Sequence, residues 1–119
     1  MEKIMISQPM RGKTIEQIRA ERAELVRELT EKGYEVIDTV FPDINFVPDE
    51  NGKCINKPVW YLSKSLEAMA NVDAVYFMDD WDEARGCRVE FLVCEEYGIP
   101  VFMSEKYADT AKPEQIWKK

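Results

Sequence analysis

The sequence predicts an α/β protein, a small Rossmann-like three-layer fold whose four-stranded parallel sheet, in spatial order 2-1-3-4, carries helices on both faces. Three observations predict it. Short apolar runs alternate with amphipathic helical stretches in the order strand, helix, strand, helix, strand, helix, strand, and such alternation requires right-handed crossovers between parallel strands. Gly33 and Gly98 each stand at the end of a helical stretch, directly before an apolar run. A length of 119 residues suits one domain with one core.

Lys3 to Ser7 reads as a buried strand. The loop Gln8-Pro9-Met10-Arg11-Gly12-Lys13 follows, and Thr14-Ile15-Glu16-Gln17 then matches a capping box with Thr14 as N-cap. Ile15, Ile18, Arg22, Leu25, Val26 and Leu29 share one face of the first helix, with Arg22 lying along its edge. The opposite face, with Glu16, Arg19, Glu21, Glu24, Glu28 and Lys32, is a solvated charge pattern. Tyr34 to Asp38 is the second strand. From Thr39 to Lys57 no period is visible, and Pro42, Pro48 and Asn51-Gly52 mark turns; so long a loop is functional, mobile or packed on a partner.

Pro58 opens the second helix, whose apolar face is Val59, Leu62, Leu66 and Met69. The third strand is Asp73 to Met78, the third helix Cys87 to Tyr97, and the fourth strand Ile99 to Met103. Residues 1–103 form the domain, and 104–119 a polar tail with a short helical turn over Pro113 to Trp117.

Charge and composition exclude several functions. A net charge of −7 and a pI near 4.7 oppose nucleic-acid binding, which needs a basic face. No apolar run approaches the roughly 18 residues that span a bilayer, and no signal-peptide pattern opens the chain, so no membrane partner and a cytoplasmic location are expected. Cys54, Cys87 and Cys94 have no CxxC spacing. Histidine is absent, which removes the commonest general base and transition-metal ligand. No cofactor and no metal are expected, and chemistry falls to carboxylates, tyrosine, lysine, a thiol or the substrate itself.

In a sheet of order 2-1-3-4 the chain reverses direction between strands one and three, and a crevice opens at their C-terminal ends. Two loops, residues 7–13 and 79–90, build it. The candidate ligand-binding residues are Ser7, Gln8, Pro9, Met10, Arg11, Gly12, Asp79, Asp80, Trp81, Arg85 and Gly86. Arg11, Lys13, Arg85 and Arg88, four of sixteen basic residues, converge there and suit an anion beside two helix N-termini. Asp79, Asp80, Asp82 and Glu83 surround Trp81; they read as a metal site, as groups for sugar hydroxyls, or as a solvated acidic loop. Metal ranks last because Arg85 and Arg88 already compensate the charge. Trp81 either stacks on a ring of the ligand or anchors packing. Trp60 and Tyr61, with Phe41 and Phe46, suggest an oligomer interface or a lid. Glu90, in the first turn of the third helix, either complements the helix dipole or faces the ligand.

Ile-Ser-Gln-Pro-Met-Arg-Gly-Lys, Asp-Ala-Val-Tyr-Phe-Met, a Trp-containing loop, Arg-Gly-Cys-Arg-Val-Glu and Gly-Ile-Pro-Val, in this order, resemble the nucleoside 2-deoxyribosyltransferase-like superfamily and, within it, a group of small, often phage-borne proteins. The resemblance covers residues 3 to 103. It implies homo-oligomers, dimers or larger, and a catalytic glutamate nucleophile at Glu90. It further implies cleavage of the N-glycosidic bond of a nucleoside or nucleotide, the sugar passing to another base or to water. Such chemistry needs no metal, and the first loop's cations would fit a 5′-phosphate. Two positions depart from the pattern: Ser65 stands where active relatives have an aspartate, and Met5 where they commonly have a tyrosine. Asp79, Asp80 or a group from a neighbouring subunit would then replace the missing acid. The alternative is a non-catalytic protein that binds or sequesters a nucleotide-derived ligand.

Overall fold

β1 (Lys3–Ser7) is an interior strand of the sheet, flanked by β2 (Glu35–Ile37) on one side and β3 (Ala74–Phe77) on the other. The computed structural model describes residues 2–40, 56–104 and 116–117. β4 (Val101–Met103) continues the sheet beyond β3, all pairs are parallel, and the order β2-β1-β3-β4 is the expected one. A fifth strand, β5 (Ile116–Trp117), pairs in parallel with β4. This corrects the helical turn expected through Trp117: the outer edge of β4 offers unpaired N–H and C=O groups that a strand satisfies and an isolated turn does not.

Alternation along the strands sorts side chains onto two faces. Ile4, Ile6, Ala74, Tyr76 and Phe102 pack with Leu25 and Leu29 of α1 (Ile15–Glu31). Met5, Val75, Phe77, Val101 and Met103 pack with Met69 of α2 (Lys57–Met69) and with Cys87, Phe91 and Cys94 of α3 (Arg85–Tyr97). One helix on one face and two on the other make the three layers. Because α1 and α2 leave the sheet on opposite faces, the chain reverses beside β1, and a crevice opens past Ser7 and Phe77, which are paired in register.

Local signals set the helix limits. Gln17 N donates to Thr14 Oγ1 at 3.1 Å and Thr14 N donates to Gln17 Oε1 at 2.8 Å, closing the capping box of α1. Asn56 Oδ1 accepts from Val59 N at 3.1 Å and Pro58 occupies the first turn of α2. Gly98, at φ +70°, ends α3 in a left-handed conformation suited to glycine. α3 begins at Arg85, not Cys87, the second, third and fourth strands are shorter than the runs expected, and Thr39 and Val40, in the expected loop, are buried. Residues 41–55, with Phe41, Phe46 and Cys54 and the lid or interface expected of the two phenylalanines, lie outside the described residues. Among the described residues, no helix is long and apolar enough to cross a membrane.

Candidate active site

Glu90 is the sixth residue of α3, so it sits in the second turn, and the helix-dipole account fails because that interaction falls off within the first turn. The side chain is 6% exposed. Ser7, the last residue of β1, points by strand alternation toward α3, and its hydroxyl lies 3.4 Å from Oε1 and 3.5 Å from Oε2 of Glu90. Burial raises the carboxyl pKa to about 7, against the opposing pull of the Ser7 hydrogen bond and the Arg22 charge. Cys87, one turn earlier, is buried. Burial first, then the Glu90 charge, pushes its thiol up to about 12, so at neutral pH it is not a thiolate and acts as small packing.

Across β1, Gln8 faces α1. Arg22 Nε donates to Gln8 Oε1 at 2.7 Å, Gln8 Nε2 donates to the Ile18 carbonyl at 3.0 Å, and Arg22 Nη1 donates to Thr39 Oγ1 at 3.4 Å. The Thr39 hydroxyl in turn donates to the Ile6 carbonyl at 3.2 Å. Arg22, expected along the edge of the first helix, is 4% exposed, and its Nη2 has no hydrogen-bond partner among the described residues. Burial lowers its pKa, opposed by the charge of Asp38, with Glu90 adding a smaller opposing effect; guanidinium nevertheless stays protonated in proteins. Arg22 and Thr39 are the site residues that sequence reasoning missed. An arginine at a helix position between core residues Ile18 and Leu25 is the signal that could have found the first.

A cavity of about 300 Å³ opens between the loops after β1 and β3, lined by Gln8, Pro9, Lys13, Glu21, Met78, Asp79 and Asp80. The turn Met10 to Lys13 closes through Lys13 N and Met10 O at 3.1 Å, and it places Gly12 at φ +79°, a conformation that favours glycine. Asp80 adopts φ +69°, which aspartate tolerates better than most residues. Asp79 Oδ1 accepts from Ser104 Oγ at 2.9 Å. Glu90 does not line the cavity; Ser7, which it contacts, is the chain neighbour of Gln8, which does.

Of the four cations expected to converge, only Lys13 lines the cavity, and its Nζ is 2.9 Å from Glu21 Oε2. Arg11, Arg85 and Gly86 are exposed, Met10 is half-buried, and Arg88 Nη1 donates to the Asp82 carbonyl at 3.1 Å. Trp81 resolves as a packing anchor: it is 3% exposed, stacked on Phe91 at 4.5 Å and edge-on to Phe77 at 5.3 Å. That corrects its expected place against a ligand ring, because an indole surrounded by core aromatics has no face left for a base. Met5 is fully buried in the core and Ser65 is half-buried on α2. Among the described residues, no group of three or more Cys, Asp or Glu side chains is arranged to hold a metal ion.

The fold is that of the nucleoside deoxyribosyltransferases. A solved 2-deoxyribosyltransferase from the psychrotolerant bacterium Bacillus psychrosaccharolyticus, described as a biocatalyst for the synthesis of antiviral and antitumoral nucleosides, superimposes with a TM-score of 0.58 at 19% identity, over 86% of this chain and 71% of that one. No curated protein sequence matches. The family described as Domain of unknown function (DUF4406) matches residues 2–103, and the chain belongs to that family.

Proposed function

We propose that the protein is an N-glycosidic hydrolase or 2-deoxyribosyltransferase-like enzyme acting on a nucleoside or nucleotide, with Glu90 as the nucleophile. One observation carries this reading: the Glu90 carboxylate is 6% exposed and lies against Ser7 at the C-terminal end of β1, where the chain reverses, and burial holds its pKa up to about 7. A structural glutamate has little reason to stay there, since burying a charge without a cation in contact is costly.

In the proposed reaction a Glu90 oxygen forms a bond to the anomeric carbon as the bond from that carbon to the base nitrogen breaks. The bonding pair leaves with the base, which takes a proton from an acidic group or water. Water or a second base then attacks the same carbon, gives its proton to the group that protonated the first base or to solvent, and releases the carboxylate as its bond to the carbon breaks. The raised pKa makes the ionised form a stronger base, and hence a better nucleophile, than a surface glutamate. Asp79 and Asp80, on the cavity wall, are the candidates to assist the leaving base in place of the acid that Ser65 and Met5 do not supply.

Incubation with 2′-deoxynucleosides and their 5′-monophosphates, following release of free base, tests the reading with Glu90→Ala and Glu90→Gln as controls. Base release from wild type alone supports it; equal release from wild type and variants, or from none, sinks it. Ser65 and Met5 also favour a second reading, in which the cavity binds without turnover. Calorimetry that shows tight binding, with the nucleoside recovered intact, would select that one.

We further propose that copies of the chain associate through α2 and α3, a reading supported by the exposed Val59, Leu92 and Tyr97. Sedimentation giving the mass of one chain would contradict it.

A further inference from the structure

Gln8 is the one described residue shared by the buried polar cluster around Arg22 and the cavity wall. The two ends of a glutamine amide differ little in shape, so its orientation is decided by its partners. Here both partners decide it the same way. A guanidinium can only donate and a peptide carbonyl can only accept, so Arg22 Nε at 2.7 Å requires Oε1, and the Ile18 carbonyl at 3.0 Å requires Nε2. Turning the amide over would set donor against donor and acceptor against acceptor in a buried place. Arg22 is itself held, through Nη1 to Thr39 Oγ1 at 3.4 Å and from there to the Ile6 carbonyl at 3.2 Å. Nε2 carries two hydrogens, and the Ile18 carbonyl takes one. The other is not used by that carbonyl, and Gln8 lines the cavity together with Asp79 and Asp80, which only accept when ionised.

We propose that Arg22 is a positioning residue that fixes Gln8 as a hydrogen-bond donor into the cavity, so that the ligand must present an acceptor to it. This rests on the reading of the cavity as a nucleoside site and refines it: the acceptor is a carbonyl oxygen of the base or a lone pair of a sugar hydroxyl. Asp79 and Asp80, which line the same cavity, select donors, which sugar hydroxyls supply. Glutamate at position 8 would keep the acceptor Arg22 needs and remove the donor the ligand needs, and it would also set a carboxylate oxygen against the Ile18 carbonyl, so affinity is read on protein shown to be folded.

The test uses the full chain with 2′-deoxyinosine, 2′-deoxyadenosine and 2-deoxyribose as probes, read by calorimetry and by the side-chain amide signals of Gln8 in ¹⁵N spectra. In wild type the Gln8 amide signals shift on adding probe. A shift with 2′-deoxyinosine alone assigns the acceptor to the base carbonyl, and a shift with all three assigns it to a sugar hydroxyl. Gln8→Glu has a lower thermal midpoint, because the Ile18 carbonyl loses its donor, and at a temperature where it is fully folded it binds about tenfold or more weakly, as expected for losing one buried hydrogen bond to the ligand. Arg22→Met frees the amide, whose hydrogens then exchange faster with solvent, a change that loss of packing elsewhere would not confine to Gln8. Affinity of Gln8→Glu equal to wild type, or Gln8 signals unmoved by every probe at millimolar concentration, overturns the inference. Release of free base is scored separately: binding with the Gln8→Glu penalty but no cleavage leaves this inference standing and removes the catalytic role of Glu90.

Discussion

The Ser7 hydroxyl sits between the two carboxylate oxygens of Glu90, 3.4 Å from one and 3.5 Å from the other. The contact joins the last residue of β1 to the second turn of α3, and it lies in the interior, with Ser7 1% and Glu90 6% exposed. A single hydroxyl at the long end of hydrogen-bond range does not offset the removal of a carboxylate from water. The result is a Glu90 pKa raised from 4.5 to about 7.

That shift fixes a dependence of stability on pH. Glu90 binds its proton more tightly in the folded chain, so its stabilising contribution is fully present below about 4.5 and is lost as pH rises through about 7. Relative to Glu90→Gln, wild type should lose on the order of 3 kcal/mol between these limits, the size of a two-to-three-unit shift. Urea unfolding of both proteins at pH 4.5 and pH 8 measures it; parallel stability of the two proteins across this range would contradict the buried, unpaired state of the carboxylate.

Trp81 should matter to the fold and not to the ligand. Trp81→Ala removes an indole stacked on Phe91 and edge-on to Phe77, and a cost of about 3–5 kcal/mol is expected for such a truncation. Trp81→Phe keeps most of the packing, and its nucleoside affinity should match wild type by calorimetry. A loss of affinity without loss of stability would return Trp81 to the ligand site.

The sequence made the sheet legible because its strands are short apolar runs bounded by Gly33, Gly98 and a capping box, and the order of elements then determined where the crevice opens. Glu90, Ser7, Gln8, Asp79 and Asp80 were accessible to that reasoning because each lies just after a strand or early in the helix that follows. Arg22 was not: helical periodicity shows which face a residue lies on, but whether a long cationic side chain on that face snorkels to water or is buried depends on Gln8 and Thr39, which are distant in sequence. Trp81 was left open between a ligand ring and a packing anchor, because four acidic neighbours give no apolar pattern to decide it, and the 3-10 turn Trp81–Glu83 folds it inward. The pairing of Ile116 and Trp117 with β4 is a tertiary contact that no local pattern announces.

The charge of the cavity predicts selectivity against phosphate. Lys13 is engaged by Glu21, while Asp79 and Asp80 add negative charge to the same wall. A 2′-deoxynucleoside should therefore bind more tightly than its 5′-monophosphate, and Asp79→Asn should narrow the difference, most clearly at low salt where such charges are least screened. Tighter binding of the monophosphate would show that Arg11 or Arg85 closes on the ligand.

If Glu90 is ionised when it attacks, kcat/KM should rise with pH through a midpoint near 7, the free-enzyme value. A falling limb at that midpoint would make Glu90 a general acid instead.

The most direct measurement is the mass of the protein quenched in acid during turnover of a 2′-deoxynucleoside. A glycosyl adduct on the peptide that carries Glu90, absent from Glu90→Gln together with base release, is the predicted result. Base release undiminished in Glu90→Gln, with no adduct on that peptide in wild type, would contradict the account.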